Sequence, residues 1–116
     1  MTTTYKILGQ TLPSANTLSN VYVVPAATST IVSTITVTNQ DSANANVDII
    51  VRPTADALAN QHYILKNQLV GQADTLILNL NITMNSSVVL VANNRYRAGE
   101  SQKANVSISV FGVEIS

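Results

Sequence analysis

Alternation of apolar and polar residues with a period of two restricts the fold of this sequence more than any other feature. The longest run carries an apolar side chain at every second position from Leu76 to Met84, separated mainly by Thr and Asn. Successive side chains of a strand point to opposite faces of its sheet, so the run predicts a strand with one buried face. We expect Leu78, in the middle of the run, to be buried.

Residues 28–53 predict two further strands joined by a polar turn. In the first strand we expect the apolar residues of one parity to face the core: Ile31, Ile35 and Val37. The turn, QDSANAN at 40–46, is rich in residues that hydrogen-bond their own backbone. In the second strand we expect Val47, Ile49 and Val51 to point inward, and Asp48 and Arg52 to point outward.

The last apolar run changes parity part-way along. Val106, Ile108 and Val110 share one parity, whereas Phe111, Val113 and Ile115 share the other. The change falls beside Gly112 and predicts either a bulge in this strand or a strand that passes between two sheets.

Counted along the chain, these patterns predict about eight strands, with turn signals at the spacing typical of a sandwich or barrel. The only candidate for helix is a short turn at ADALA, residues 55–59. We therefore predict an all-β protein in which residues 1–116 form one antiparallel β-sandwich, either jelly-roll or immunoglobulin-like.

Charge is scarce in this chain. Six basic and six acidic residues give a formal net charge of zero, and only 10% of residues are charged, against about 25% in an average soluble domain. Zero net charge favours association, so we expect a homo-oligomer. The chain also lacks the basic field that binds a phosphate backbone, so we expect no nucleic-acid partner. The apolar runs are too short to span a membrane, and the first ten residues, MTTTYKILGQ, do not resemble a signal peptide.

Residues for chemistry are few and scattered. His62 is the only histidine, there is no cysteine, and no acid or second histidine stands near His62 at ligand spacing. A general base needs a nucleophile and an orienting group, and no such set can be assembled. We expect no catalytic residue, no metal site, no cofactor and no enzymatic activity.

The most charged stretch is NNRYRAGES, residues 93–101. Arg and Tyr are favoured anchors of protein interfaces, so we predict a protein contact through Arg95, Tyr96 and Arg97. A solvated hairpin loop that turns at Gly99 explains the stretch equally well. Stacking on a base or a sugar is the third interpretation.

Three segments carry a resemblance that covers most of the chain: TYKILGQTLPSANTLSNVYVVPAATSTIVSTITVTN (4–39), VRPTADALANQHYI (51–64) and SISVFGVEI (107–115). They resemble a small family of virion proteins of tailed bacteriophages, especially phages of cyanobacteria and other marine bacteria. The resemblance implies a non-enzymatic structural subunit that is made in the host cytoplasm and located in the virion, with other virion proteins as partners. Such a subunit belongs to the particle exterior, at the tail, baseplate, neck or fibre, or as a decoration of the head. The resemblance implies no catalytic residues.

The alternative function is a module that binds a host-surface carbohydrate. Sugar sites present an aromatic platform beside polar groups, but aromatic residues make up only 4% of this chain and there is no tryptophan. The four tyrosines, Tyr5, Tyr22, Tyr63 and Tyr96, are spread along the sequence. The structural role therefore depends on the contact loop, and the carbohydrate-binding role depends on exposed tyrosines.

Overall fold

In the part of the chain that the structure describes, eight strands form two four-stranded antiparallel sheets that pack face to face as a sandwich. The computed structural model describes residues 2–13, 18–40, 44–54, 56–71, 73–95 and 106–116. The strands are β1 (Thr3–Thr11), β2 (Ser19–Val23), β3 (Ser29–Asn39), β4 (Ala45–Pro53), β5 (Tyr63–Val70), β6 (Thr75–Met84), β7 (Val88–Arg95) and β8 (Val106–Ile115).

The order of the strands is that of a jelly roll. The first sheet has the order β1-β8-β3-β6 and the second has the order β2-β7-β4-β5. Among the described strands, β4 and β5 are the only pair that follow each other in the sequence and also lie side by side in a sheet. Every other connection crosses from one sheet to the other. The predicted all-β sandwich is confirmed, and the jelly-roll alternative is the one adopted. β3 and β4, joined by the predicted polar turn, lie in different sheets.

The main core lies between the two sheets and is almost wholly aliphatic. Its centre is formed by fully buried residues of β3 and β8 from the first sheet and of β4 and β7 from the second, among them Ile35, Ile108, Ile49 and Leu90. Burial on this scale is the main favourable contribution to the stability of a domain without disulfides.

The prediction that Leu78 is buried is wrong, because this residue is only partly buried. It does point inward and packs against the main core. However, β6 is the outermost strand of the first sheet and pairs only with β3 among the described residues. An edge strand has a neighbour on one side alone, so its inward side chains keep some contact with solvent.

The predicted parity of β3 is wrong at its beginning. Val32 is fully buried and Ile31 is only partly so. Val32 pairs with Gly112 and Thr34 pairs with Phe111, which leaves Ser33 as an extra residue opposite β8. Because of this bulge, the residue that points inward before it is Val32, and the residues that point inward after it are Ile35 and Val37.

The predicted bulge or sheet crossing in β8 is also wrong, although an irregularity does lie at Gly112. β8 stays in the first sheet throughout, and its pairing with each neighbour runs without an extra residue of its own. The extra residues are in the neighbouring strands. One is Ser33 in β3. The other is Leu8 in β1, because Ile7 pairs with Phe111 and Gly9 pairs with Val110. The three apolar residues after Val110 therefore lie on the outer face of the first sheet: Phe111, Val113 and Ile115.

A second, smaller apolar cluster lies on the outer face of the second sheet. Ile50, Val89 and Val91 are buried there, with Tyr63 packed against them. A 3₁₀ turn at Asn60–His62 contacts β4, and this turn follows the segment 55–59 where the sequence predicted helix. Segment 56–62 thus lies against the outer side of the second sheet.

Asp48 points outward from β4 as predicted, but it is buried rather than solvated. Its carboxylate accepts a hydrogen bond from the backbone N–H of Asn67 at 2.7 Å and one from the Asn93 amide at 3.2 Å. Asn67 has a positive φ of 56° and lies beside a register shift between β4 and β5. The buried carboxylate therefore holds the bulged backbone of β5, which explains why a charge is found there.

Candidate assembly surface

The outer face of the first sheet carries an apolar surface at the end where β8 finishes. Val113 of β8 lies between Tyr5 of β1 and Ile31 of β3, and Phe111 pairs with Ile7 of β1. Tyr5 is 84% exposed and Ile7 is 52% exposed. We call these five residues the outer apolar face.

The outer apolar face contains an open depression of about 410 Å³. Four of its five residues line the depression, together with Lys6, Ser33, Asn81 and Gly112. The lining therefore combines apolar residues with the polar residues Ser33 and Asn81, a mixture that protein interfaces also have.

The two sheets differ in how their outer faces are covered. On the second sheet the apolar cluster around Ile50 is buried beside the segment that contains the 3₁₀ turn. On the first sheet, no described residue buries Tyr5 or Ile7 in the same way. Large apolar side chains gathered on an exposed face indicate a site of contact with another molecule.

The inner side of the same end of the sandwich is polar. Glu114 of β8 faces the second sheet and accepts a hydrogen bond from the Tyr22 hydroxyl at 2.5 Å and one from Lys6 Nζ at 3.1 Å. The Tyr22 hydroxyl also lies 2.7 Å from the Thr30 hydroxyl. Because the single Tyr22 proton is donated to the carboxylate, Thr30 donates to Tyr22. The polar residues of β8 thus point inward here, and the apolar residues point outward.

This polar cluster shifts the ionisation of two of its members. Burial, and then the hydrogen bond to the Glu114 carboxylate, raise the pKa of Tyr22 to about 12. The hydrogen bond from Tyr22 and the weaker contribution of Lys6 lower the pKa of Glu114, against an opposing effect of burial. The ion pair of Lys6 and Glu114 lies near the surface, where such pairs are weak. The Glu114 carboxylate is therefore stabilised mainly by the hydrogen bond from Tyr22.

We expect the protein to lose stability at alkaline pH through Tyr22. The ordinary pKa of 10.0 applies to the unfolded chain, and the folded value is about 12. The stabilisation is therefore complete below pH 10.0 and is lost as the pH rises through about 12. Denaturant unfolding at a series of pH values measures the loss, and Tyr22→Phe should remove this part of the alkaline slope. An unchanged slope in the variant would contradict the assignment.

His62 is buried at the end of the 3₁₀ turn, and its side chain contacts residues that precede the turn. Its Nδ1 accepts a hydrogen bond from the Ala59 backbone N–H at 3.0 Å, and its Nε2 is 3.7 Å from the Asp56 carboxylate. These contacts close the 3₁₀ turn. Among the described residues there is no group of three His, Cys, Asp or Glu side chains arranged to hold a metal ion.

The predicted contact loop falls largely outside the described residues. Arg95 is the last residue of β7 and pairs with Asn46 of β4. Its side chain, Tyr96 and Arg97 all lie outside the part of the chain that the structure describes. Sequence reasoning missed the outer apolar face, although its signal was present. The second apolar parity of β8 was interpreted as a bulge or as a strand that passes between two sheets.

The sequence matches no protein-family model and no curated protein. One similar solved structure is described as "Structure of infectious bursal disease virus Gx strain", with 10% sequence identity and a TM-score of 0.49. The alignment covers 97% of this chain and 30% of that chain. No helix in the described parts of the chain has the length and apolarity needed to cross a membrane.

Proposed function

We propose that this protein is a non-enzymatic structural subunit of a virion, an accessory sandwich on the exterior of a tailed-phage particle. Its partners are other virion proteins and further copies of itself. The outer apolar face is the observation that carries the proposal, because it presents Tyr5 and Ile7 to solvent on a strand that the chain does not cover with any described residue. Burial of such a face against a second protein would remove that apolar area from water.

The composition supports the same role. A net charge of zero and a charged fraction of 10% remove most of the repulsion that keeps subunits apart. Weak contacts of this kind become strong when many copies bind together in a symmetric particle. A subunit of an assembly can therefore function without the large charged surface of a monomeric protein.

The virion itself is proposed from the resemblance of segments 4–39, 51–64 and 107–115 to tailed-phage virion proteins. The jelly roll is compatible with this role, since capsid proteins use it, but lectins and cupin enzymes use it as well. The fold therefore leaves the role open, and the surface is what favours a structural subunit.

The direct test is to locate the protein in purified particles. Mass spectrometry of gradient-purified virions should detect the chain in a fixed copy number, and immunogold labelling should place it on the exterior at the head, neck, tail or fibre. A protein that is abundant in infected cells but absent from purified particles would overturn the proposal.

The predicted contact loop has its own test. Replacing Arg95, Tyr96 and Arg97 together with serine should leave folding intact and reduce incorporation into particles, because large contact side chains are lost from a loop. Quantitative mass spectrometry of particles grown with the variant measures the effect. Incorporation equal to that of the parent protein would show that this loop is a solvated hairpin.

Carbohydrate binding is the second candidate, and Tyr5 is the observation that favours it. Tyr5 is exposed and lines the same depression as Ser33 of β3 and Asn81 of β6, so the depression combines an aromatic residue with polar groups. Tyr5→Ala should then abolish binding to host envelope polysaccharide in a pull-down. If Tyr5→Ala instead reduces incorporation into particles and the parent protein binds no polysaccharide, the structural role is supported.

A further inference from the structure

β6 presents an edge that is unusual among the four edges of this sandwich. It is ten residues long, contains no charged residue and no proline, and pairs only with β3 among the described residues. Its outward side chains are exposed, with Ile77 at 59%. A long uncharged edge strand offers a row of unpaired backbone N–H and C=O groups to another chain.

The other three edges each carry a feature that discourages pairing. β1 contains Lys6 and the extra residue Leu8. β2 is only five residues long. β5 contains Lys66, a positive φ at Asn67, and register shifts against β4. Charges, bulges and short length are the usual protection of an edge. β6 also has one register shift, where Leu80 and Asn81 lie opposite Ser33 of β3, but it is the long edge strand that carries no charge.

We propose that β6 pairs antiparallel with β6 of a second copy of this chain, joining the two first sheets into one continuous sheet across a two-fold axis. This proposal deepens the proposed function, because it identifies one of the contacts through which a multi-copy subunit assembles. An antiparallel pair of identical strands is self-complementary, so it closes as a dimer.

The sequence of β6 suits a partner identical to itself. Since the strand has no charge, its own image brings no like charges together. Its outward residues are Thr75, Ile77, Asn79, Asn81 and Thr83.

Two of these side chains, Thr75 and Asn79, already contact polar side chains of β3, the strand with which β6 pairs. The Thr38 and Thr75 hydroxyls lie 3.2 Å apart, and Thr34 donates to the Asn79 side chain at 3.5 Å. A second copy of β6 would offer the same Thr and Asn groups on the open side. In a register that keeps the outward side chains of both copies on one face, nine residues of β6 would pair, over about 30 Å.

The first test compares two exposed apolar residues on edge strands of different sheets, Ile77 on β6 and Leu69 on β5. Light scattering coupled to gel filtration should show that the parent protein dimerises with increasing concentration. Ile77→Lys should weaken the dimer at least about tenfold, because a charged lysine on an edge strand disfavours pairing with another strand. Leu69→Lys is the matched control and should leave the dimer unchanged. A dimer that is broken by Leu69→Lys and not by Ile77→Lys would overturn the proposal.

The second test uses the absence of cysteine from the sequence. Asn79→Cys and Asn81→Cys, made singly and together, place thiols at the centre of β6, and Gln10→Cys places one on the edge of β1. Opposed residues in an antiparallel pair are close enough for a disulfide. Mild oxidation should therefore cross-link at least one β6 variant to near completion, and Gln10→Cys should remain uncross-linked. Equal cross-linking of all the variants would overturn the proposal.

Failure of this inference is distinguishable from failure of the proposed function. A protein that is found in purified particles but stays monomeric, without β6 cross-links, overturns β6 pairing alone. A β6-linked dimer that is absent from particles supports β6 pairing and overturns the virion role.

Discussion

Ile108→Ala is expected to lower the free energy of unfolding by about 2–5 kcal/mol, the range for removing a large aliphatic side chain from a packed core. Ile108 is fully buried in β8, which has a paired strand on both sides. The two sheets therefore enclose the site, and we expect little collapse around the cavity. Equilibrium unfolding in urea, followed by circular dichroism, measures the change.

Ile77→Ala is the matched control for Ile108→Ala. The same atoms are removed from the outward side of β6, where Ile77 is 59% exposed, so the isolated subunit should lose less than about 1 kcal/mol. Leu78→Ala, inward on the same edge strand, should fall between the two. Equal losses at Ile77 and Ile108 would contradict the assignment of the two faces.

Gly112→Ala is expected to destabilise the protein by about 1–3 kcal/mol or more, as overpacking does in a close-packed interior. A methyl group at Gly112 would overlap the carbonyl oxygen of Ile31 in β3 and lie 3.1 Å from Cδ1 of Leu8. The overlapped atom belongs to the backbone of a neighbouring strand, so no side-chain rotation relieves it. Thermal and urea unfolding of the variant measure the loss.

Gly71→Ala is the control for Gly112→Ala. A methyl group at Gly71 would meet only Asp74, at 3.8 Å, which is an ordinary contact. We therefore expect a change close to zero. If both alanine variants keep the stability of the parent protein, the close approach of β3 and β8 at Gly112 is contradicted.

Gly112 also links the fold to the candidate surface. The extra residues of β1 and β3 lie directly beside it, and the close approach of Ile31 needs the absence of a side chain there. In the same region Phe111 and Val113 face outward and Glu114 faces Tyr22. A Gly112→Ala variant that still folds should therefore have an altered outer apolar face.

The contact surfaces were harder to predict than the strands. The contact through Arg95, Tyr96 and Arg97 remains a prediction, because the structure describes only the backbone of Arg95 among these residues. Tyr5 was counted among several scattered tyrosines, and nothing in its local sequence distinguishes it from the buried Tyr22. Whether a tyrosine is exposed or buried depends on which strands lie next to it and across from it.

The sequence by itself determined that this chain is an all-β sandwich of about eight strands, since alternation with a period of two is local and each strand records it. It also determined the inward sets of β4 and β6 and of the first half of β8. Only the tertiary structure decided the jelly-roll order, the extra residues Ser33 and Leu8, the exposure of β6 as an edge, and the outward direction of Phe111 and Val113. Each of these depends on which strands become neighbours. Alternation shows that a strand has two faces, but not which strand lies beside it or whether its second face is covered.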